Sequence, residues 1–240
     1  MNINKILSVF LLIGGIFIVS CDDFLTTNPS VDLTDNQILH NQTGLQMLLT
    51  GTYRAMKDGN GDLHAVSPIG LKSYSTGVAS IDISSYPGAG NSIYNAYIFS
   101  SNAYVADQYF SRTFYQNFYE IINNANLIIS NAHNAANKEN ELKGQALIIR
   151  ARCYYNLVRL YQHTYIIAKD KPGVPLYLEP SSSTTLPKER STVEEVYLQI
   201  EEDLLEAIEL LKDFKRQNIS IYNSDVAYFL LADMYLTKNE

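Results

Sequence analysis

The residue with the most defined chemical context in this sequence is a cysteine near its start. A single cation, Lys5, precedes a largely apolar run from Ile6 to Val19, and Ser20 places a small residue directly before the thiol of Cys21. Such a run is typical of a cleaved signal peptide and is short for a membrane-spanning helix, which needs about 20 apolar residues. The sequence predicts a signal peptide at residues 1–20, a cleavage site that resembles a bacterial lipobox, and acylation of the Cys21 thiol. An ordinary secretory signal that contains a cysteine is the alternative.

Other residue types that could do chemistry are scattered along the chain. The four histidines form no close metal-binding pair; they are His40, His64, His133 and His163. The segment Asp58–Asp62 alternates oxygen ligands, but Leu63 and Ile69 stand where a calcium loop requires Gly and Glu, so a turn is the better interpretation. Neither a phosphate-binding loop nor a nucleophile elbow occurs in the sequence. The sequence predicts no catalytic residue, no metal site and no cofactor, although it leaves open two carboxylates that converge across a cleft.

Tyrosine is unusually common: the chain has 18 tyrosines, 9 phenylalanines and no tryptophan. A phenol offers a flat apolar face and a hydrogen-bonding tip, which suits a wet binding surface as well as a helix seam. From Asp58 to Ser100, glycine, proline and serine interrupt all periodicity, and an irregular segment of this length usually has a function. We predict that its tyrosines bind a ligand, with packing onto the helices as the alternative; they are Tyr74, Tyr86, Tyr94 and Tyr97. Tyrosines at helical spacing are predicted to fill seams instead; they are Tyr109, Tyr115, Tyr119, Tyr154 and Tyr161.

Helical periodicity extends over most of the remaining chain. Apolar residues three and four positions apart predict helices over Gln42–Lys57, Asn102–Asn131 and Lys138–Tyr161, another that follows the capping box Ser191-Thr192-Val193-Glu194, and a last one that begins near Asn223 and is still running at Glu240. Four prolines between His163 and Arg190 predict a mostly extended connection. The pattern predicts an all-α, mainly helical fold of tetratricopeptide-like helix pairs with long irregular loop insertions.

Charge and cysteine content restrict the partners and the organisation of the chain. A net charge of −7 argues against nucleic acid, because phosphate binding needs a basic face. If Cys21 is acylated, Cys153 has no mate for an intramolecular disulfide. We divide the chain into the signal peptide, a lipidated tether at 21–41 and a helical domain at 42–240. The open apolar face of the last helix predicts that this domain is incomplete at its C-terminus.

The third predicted helix carries a stretch that resembles the signature helix of the SusD/RagB nutrient-binding lipoproteins. It runs from Gly144 to Tyr161 and reads GQALIIRARCYYNLVRLY. Gln162 departs from the family pattern, which commonly has glycine there. Further segments resemble the family in the same order along the chain, namely Cys21–Leu25, Gly51–Met56, Tyr119–Asn126, Gly173–Leu176, Pro187–Tyr197 and Ala227–Leu236. The chain therefore resembles the N-terminal portion of such a protein, whose members are considerably longer.

This resemblance implies a substrate-binding protein rather than an enzyme. It implies a lipoprotein anchored in the outer membrane at the cell surface, with Asp22 and Asp23 as its export feature. Such a protein captures oligosaccharides, or other oligomeric nutrients such as peptides, and delivers them to a TonB-dependent SusC-like transporter. The tyrosines of the irregular segment would then stack on sugar rings. Two alternatives are a tetratricopeptide-type scaffold lipoprotein that assembles envelope proteins and a surface hydrolase.

Overall fold

A computed structural model describes residues 39, 41–58, 109–132 and 137–239. Within these residues the chain forms helices α1 (Gln42–Asp58), α2 (Tyr109–Asn131), α3 (Asn137–Tyr161), α4 (Tyr165–Ala168), α5 (Val193–Leu210) and α6 (Ser224–Lys238). The described residues also contain an isolated antiparallel β-bridge between Pro172 and Thr192. The all-α prediction is confirmed. Cys21 and the four predicted ligand-binding tyrosines lie outside the described residues, as does the predicted helical stretch at 102–108.

Helix α3 lies at the centre of the core. It packs against α2 and α5, while α1 contacts α2 and α3, and α6 contacts α5. Apolar spacing predicts a buried stripe of six residues on this helix, and five of them are at 0% exposure, namely Leu142, Ala146, Ile149, Cys153 and Leu157. The prediction is wrong for the sixth, Leu160, which is 44% exposed in the last turn of α3. Since residues 147 and 148 are also buried, helices cover α3 on more than one side. None of the described helices is both long and apolar enough to cross a membrane.

Gly144 permits the close approach between α3 and the end of α5. A methyl group at this position would lie only 2.6 Å from Cγ of Leu211. A larger residue would therefore require the Leu211 side chain to shift.

Helix α5 begins one residue later than the sequence pattern predicts. Its N-cap is Thr192, whose hydroxyl accepts a 3.2 Å hydrogen bond from the Glu195 amide, while Glu195 Oε2 accepts a 2.7 Å bond from the Thr192 amide. The predicted box with Ser191 and Glu194 is wrong because the Ser191 backbone is extended and paired with the preceding connection. The Ser191 carbonyl accepts from the Gly173 amide at 2.6 Å, and its amide donates to Val174 at 3.2 Å.

Two further expectations need correction. The connection after α3 is mostly extended, as its prolines predict, but it also contains the single-turn helix α4. The last helix does not run to Glu240, since α6 ends at Lys238 and Asn239 takes a left-handed backbone conformation with φ of 67°. Asparagine tolerates this conformation better than most residues, and its amide caps α6 by donating to Leu236.

The shifted capping box predicts that the hydroxyls of Thr192 and Ser191 contribute differently to the free energy of unfolding. Thr192→Ala is expected to lower the free energy of unfolding by about 1 kcal/mol, because it leaves an amide in the first turn of α5 without its acceptor. Ser191→Ala is the matched control and is expected to cost less than about 0.5 kcal/mol. Urea unfolding followed by circular dichroism measures both. A larger loss in Ser191→Ala than in Thr192→Ala would contradict the cap assignment.

Candidate functional site

An open cleft of about 410 Å³ lies between α2 and the extended connection that follows α4. We call it the tyrosine cleft. One face of α2 supplies residues spaced by three and four positions, and the connection supplies the opposite wall. The lining residues are Tyr115, Gln116, Tyr119, Ile122, Asn123, Asn126, Tyr177, Ser181, Ser182 and Thr185.

Aromatic rings form a continuous row across this cleft. The centroids of Tyr115 and Tyr119 lie 4.6 Å apart, and those of Tyr119 and Tyr177 lie 5.8 Å apart with their planes at 89°. On the other side of Tyr115, the ring of Tyr161 makes an edge contact at 5.3 Å. Tyr115 and Tyr119 therefore pack in a seam, as predicted, and also line the cleft, which the sequence pattern did not indicate.

Hydrogen bonds hold Tyr177 both at its backbone and at its phenol hydroxyl. The buried Tyr154 hydroxyl donates to the Tyr177 carbonyl at 2.8 Å and accepts from the Tyr177 amide at 2.7 Å. Asn126 Nδ2 donates to the same carbonyl at 2.8 Å and to the Glu179 carbonyl at 3.1 Å. The Lys188 amide donates to the Tyr177 hydroxyl at 3.0 Å. The Tyr177 ring is therefore a fixed platform, although it lies in a connection without regular secondary structure.

A buried ion pair orients Asn126. Arg150 and Asp203 are joined by two hydrogen bonds, Nε to Oδ2 at 2.8 Å and Nη2 to Oδ1 at 2.7 Å, and their exposures are 6% and 1%. The remaining Nη1 of Arg150 donates to Asn126 Oδ1 at 2.9 Å and to the Leu178 carbonyl at 3.2 Å. Burial alone would lower the pKa of the Arg150 guanidinium, but the hydrogen bonds and charge of Asp203 outweigh it and raise that pKa. Arg150 therefore stays charged and fixes the Asn126 amide, which in turn fixes Tyr177.

The other polar groups of the cleft are also positioned. The Tyr119 hydroxyl donates to the Pro175 carbonyl at 2.8 Å, and burial, together with the neighbouring Tyr115, raises the pKa of the Tyr119 phenol. Asn123 Oδ1 accepts from the Ser181 amide at 2.6 Å, so α2 is tied to the connection at the rim as well as at the base. The phenol stays neutral at physiological pH.

The arrangement suits binding more than bond-making. Its described lining combines aromatic faces with amides and hydroxyls, which can contact an apolar ligand face and hydrogen-bond its rim. In the described part of the chain, no group of three or more His, Cys, Asp or Glu side chains is placed to hold a metal ion. Tyr177 and Asn126 were missed by sequence reasoning, because a proline-rich connection gives no periodic signal and apolar spacing does not distinguish Asn126 from the other asparagines of α2.

The fold and the site together define a class of protein: an all-α scaffold that carries a tyrosine-lined cleft. The chain matches the SusD-like family described as starch-binding and associating with the outer membrane, across residues 23–236, and it belongs to that family. No curated protein is similar enough to count as a match.

Solved structures show the same architecture. A proposed sugar-binding protein from Bacteroides vulgatus is 29% identical with a TM-score of 0.65, over 82% of this chain and 42% of that one. A SusD-like carbohydrate-binding protein from the same organism is 19% identical with a TM-score of 0.68, over 83% and 42% of the two chains. A laminarin-binding SusD-like protein is 23% identical with a TM-score of 0.59, over 82% and 40%. At these identities, the last two comparisons show the fold alone. The chain spans less than half the length of each of these proteins.

The buried ion pair makes a sharp prediction about stability. Arg150→Met is expected to lower the free energy of unfolding by about 3–5 kcal/mol, because it leaves the Asp203 carboxylate buried without its partner. The double variant Arg150→Met/Asp203→Leu removes both charges and is expected to recover at least half of that loss. Urea unfolding of the two variants and the parent protein tests this. A double variant as unstable as the single one would show that the destabilisation does not come from the unpaired charge.

Proposed function

We propose that this protein captures oligosaccharides at the outer surface of the outer membrane and delivers them to a TonB-dependent SusC-like transporter, without catalysing a reaction on them. The observation that carries the proposal is the tyrosine cleft on a scaffold of the SusD-like family. Family membership supports a carbohydrate ligand and an outer-membrane location. The cleft supplies groups of the kind that such a ligand requires.

The chemistry of a sugar matches the lining of this cleft. A sugar ring presents C–H groups on its faces and hydroxyls around its rim, so a fixed phenol ring can pack on a face while amides and hydroxyls bond the rim. Because Tyr177 is held at its backbone and at its tip, little side-chain freedom is lost when a ligand packs against it. Tyr74, Tyr86, Tyr94 and Tyr97 are proposed as further contacts to the same kind of ligand.

The proposed anchor is a lipid on Cys21. A single acyl chain binds a membrane only weakly, so stable anchoring requires more than one chain at this end of the protein. Such an anchor would keep the captured ligand beside a transporter in the same membrane and so raise its effective concentration there.

If the cleft captures the ligand, Tyr177 contributes more to ligand affinity than a tyrosine outside the cleft. Tyr177→Leu keeps an apolar side chain but removes the aromatic face, and is expected to weaken binding of laminarihexaose or maltohexaose about fivefold, on the order of 1 kcal/mol. Tyr228→Leu is the matched control, since Tyr228 is 57% exposed on α6 and is not among the residues that line the cleft. Isothermal titration calorimetry of the full chain in mild detergent measures both. Equal affinities in the two variants would show that the cleft does not bind the ligand.

The anchor and the transporter can be tested with the two cysteines of the chain. Cys21→Ser is expected to abolish incorporation of labelled palmitate and retention in the outer-membrane fraction. Cys153→Ala, at a fully buried cysteine, is expected to preserve both. A tagged parent protein purified in mild detergent should bring down a β-barrel transporter, and Cys21→Ser should not. Recovery of envelope-assembly proteins without a barrel would contradict the capture role and favour a scaffold.

A further inference from the structure

We propose that a second pocket, walled in part by α1, is a further carbohydrate-binding site that acts separately from the tyrosine cleft. We call it the α1 pocket. Its ligand class rests on the proposed glycan-binding function, whereas the site itself follows from the geometry of the residues around it. It has a volume of about 480 Å³, and none of the described residues that line it also lines the tyrosine cleft.

Three elements form the walls of the α1 pocket. Helix α1 contributes Gln46, Thr50 and Tyr53, and the first turns of α3 contribute a second row that begins at Lys138. In both rows the residues are three and four positions apart, so each helix presents one face to the pocket. The loop between α5 and α6 supplies the third wall, at residues 214–221.

One phenol joins the three walls at the base of the pocket. The Tyr53 hydroxyl donates to Gln145 Oε1 on α3 at 3.1 Å and accepts from the Tyr222 amide in the loop at 3.0 Å. The rings of Tyr53 and Tyr222 also make an edge contact, with their centroids 5.3 Å apart. Gln145 is 4% exposed, and its Nε2 donates to the Glu141 carbonyl at 3.1 Å. The polar atoms of Tyr53 and Gln145 therefore fix the shape of the pocket, and we assign no ligand bond to them.

Other polar groups of the lining have bonding capacity left for a ligand. Within the described part of the chain, the side-chain amides of Gln46 and Gln217 and the ammonium of Lys215 make no hydrogen bond or ion pair. The hydroxyls of Thr50 and Ser220 donate to protein oxygens at 2.8 and 3.0 Å, which leaves their own oxygens as acceptors. The pocket thus offers donors and acceptors that a ligand can use without breaking a bond of the protein.

These groups stand beside aromatic surface, as a sugar requires. The half-buried rings of Tyr53 and Phe214 both line the pocket. A sugar unit can place a C–H face against such a ring while its hydroxyls exchange water for the amides and the ammonium. Lys138 is paired with Glu141 at 3.4 Å, so Lys215 is the unpaired cation among the described lining residues, and an ammonium donates to hydroxyls as well as to anions.

The experiment counts binding events and assigns each one to a site. Laminarihexaose and maltohexaose are titrated calorimetrically into the full chain in mild detergent, and we expect two molecules of the better probe to bind per chain. Gln46→Leu removes both hydrogen-bonding atoms of an amide without breaking a side-chain bond of the protein. It is expected to weaken one of the two events by about threefold or more, since single hydrogen bonds contribute modestly. Tyr177→Leu is expected to weaken the other event.

A second variant and a matched control locate the effect. Gln217→Leu changes the loop wall and is expected to weaken the same event as Gln46→Leu, again by about threefold or more. Gln42→Leu makes the same substitution one turn earlier on α1, at an exposed residue that is not among those lining either site. It is expected to leave both events unchanged.

Each outcome has a defined meaning. Two events, one weakened by both glutamine changes and the other by Tyr177→Leu, would support the proposal. A single event per chain would overturn it, and if Tyr177→Leu weakens that event, glycan capture by the cleft stands. A second event that neither Gln46→Leu nor Gln217→Leu weakens, or that Gln42→Leu weakens equally, would also overturn it, because that event would not belong to the α1 pocket. Failure of both probes to bind would contradict this inference and the proposed function together.

Discussion

The Arg150–Asp203 ion pair is the interaction on which the rest of the described structure depends. It joins α3 to α5 inside the core, and the spare nitrogen of the guanidinium extends the network to Asn126 on α2. Burying two charges is expensive, and the pair tolerates burial because both oxygens of Asp203 and all three nitrogens of Arg150 have partners. A hydrophobic pair could hold α3 and α5 together, but it could not orient the amide that fixes Tyr177. The network thus couples the core of the fold to the wall of the cleft.

The extended connection is closed on itself by side chains near its two ends that bind its backbone. Gln162 Nε2 and Arg190 Nη2 both donate to the Pro172 carbonyl, at 2.7 and 2.8 Å, and Arg190 Nε donates to the Gly173 carbonyl at 2.6 Å. A methyl group at Gly173 would lie 3.0 Å from the Ser191 carbonyl oxygen, so this crossing favours glycine. Gln162 occupies the position at which the SusD/RagB resemblance leads one to expect glycine. Here its amide closes the loop that leaves α3, so the departure from the family pattern has a structural role.

The helices could be predicted from the sequence, whereas the cleft could not, and the reason is physical. Periodicity reports which side of a helix is buried, so the bounds of α1 and α3 and the buried stripe of α3 follow from apolar spacing alone. Tyr177 is placed by hydrogen bonds from α2 and α3, distant in sequence, and no local pattern encodes them. The capping box shows the same limit, since Ser191 and Thr192 are both acceptable caps locally and only the pairing of Ser191 with Gly173 and Val174 decides between them.

The angle between the cleft tyrosines limits how a ligand can be bound. Because the planes of Tyr119 and Tyr177 are perpendicular, one sugar ring cannot be sandwiched between their faces, and it can pack on one ring only while it touches the edge of the other. The Lys188 ammonium lies over the Tyr177 ring, 5.4 Å from its centroid, and so occupies one of its faces. Under the proposed function, each sugar unit would gain a single stacking contact here, and aromatic contacts of this kind are individually modest. Under that function, tight capture would require several units of one oligomer to be bound at once, so an oligosaccharide would be held more tightly than a monosaccharide.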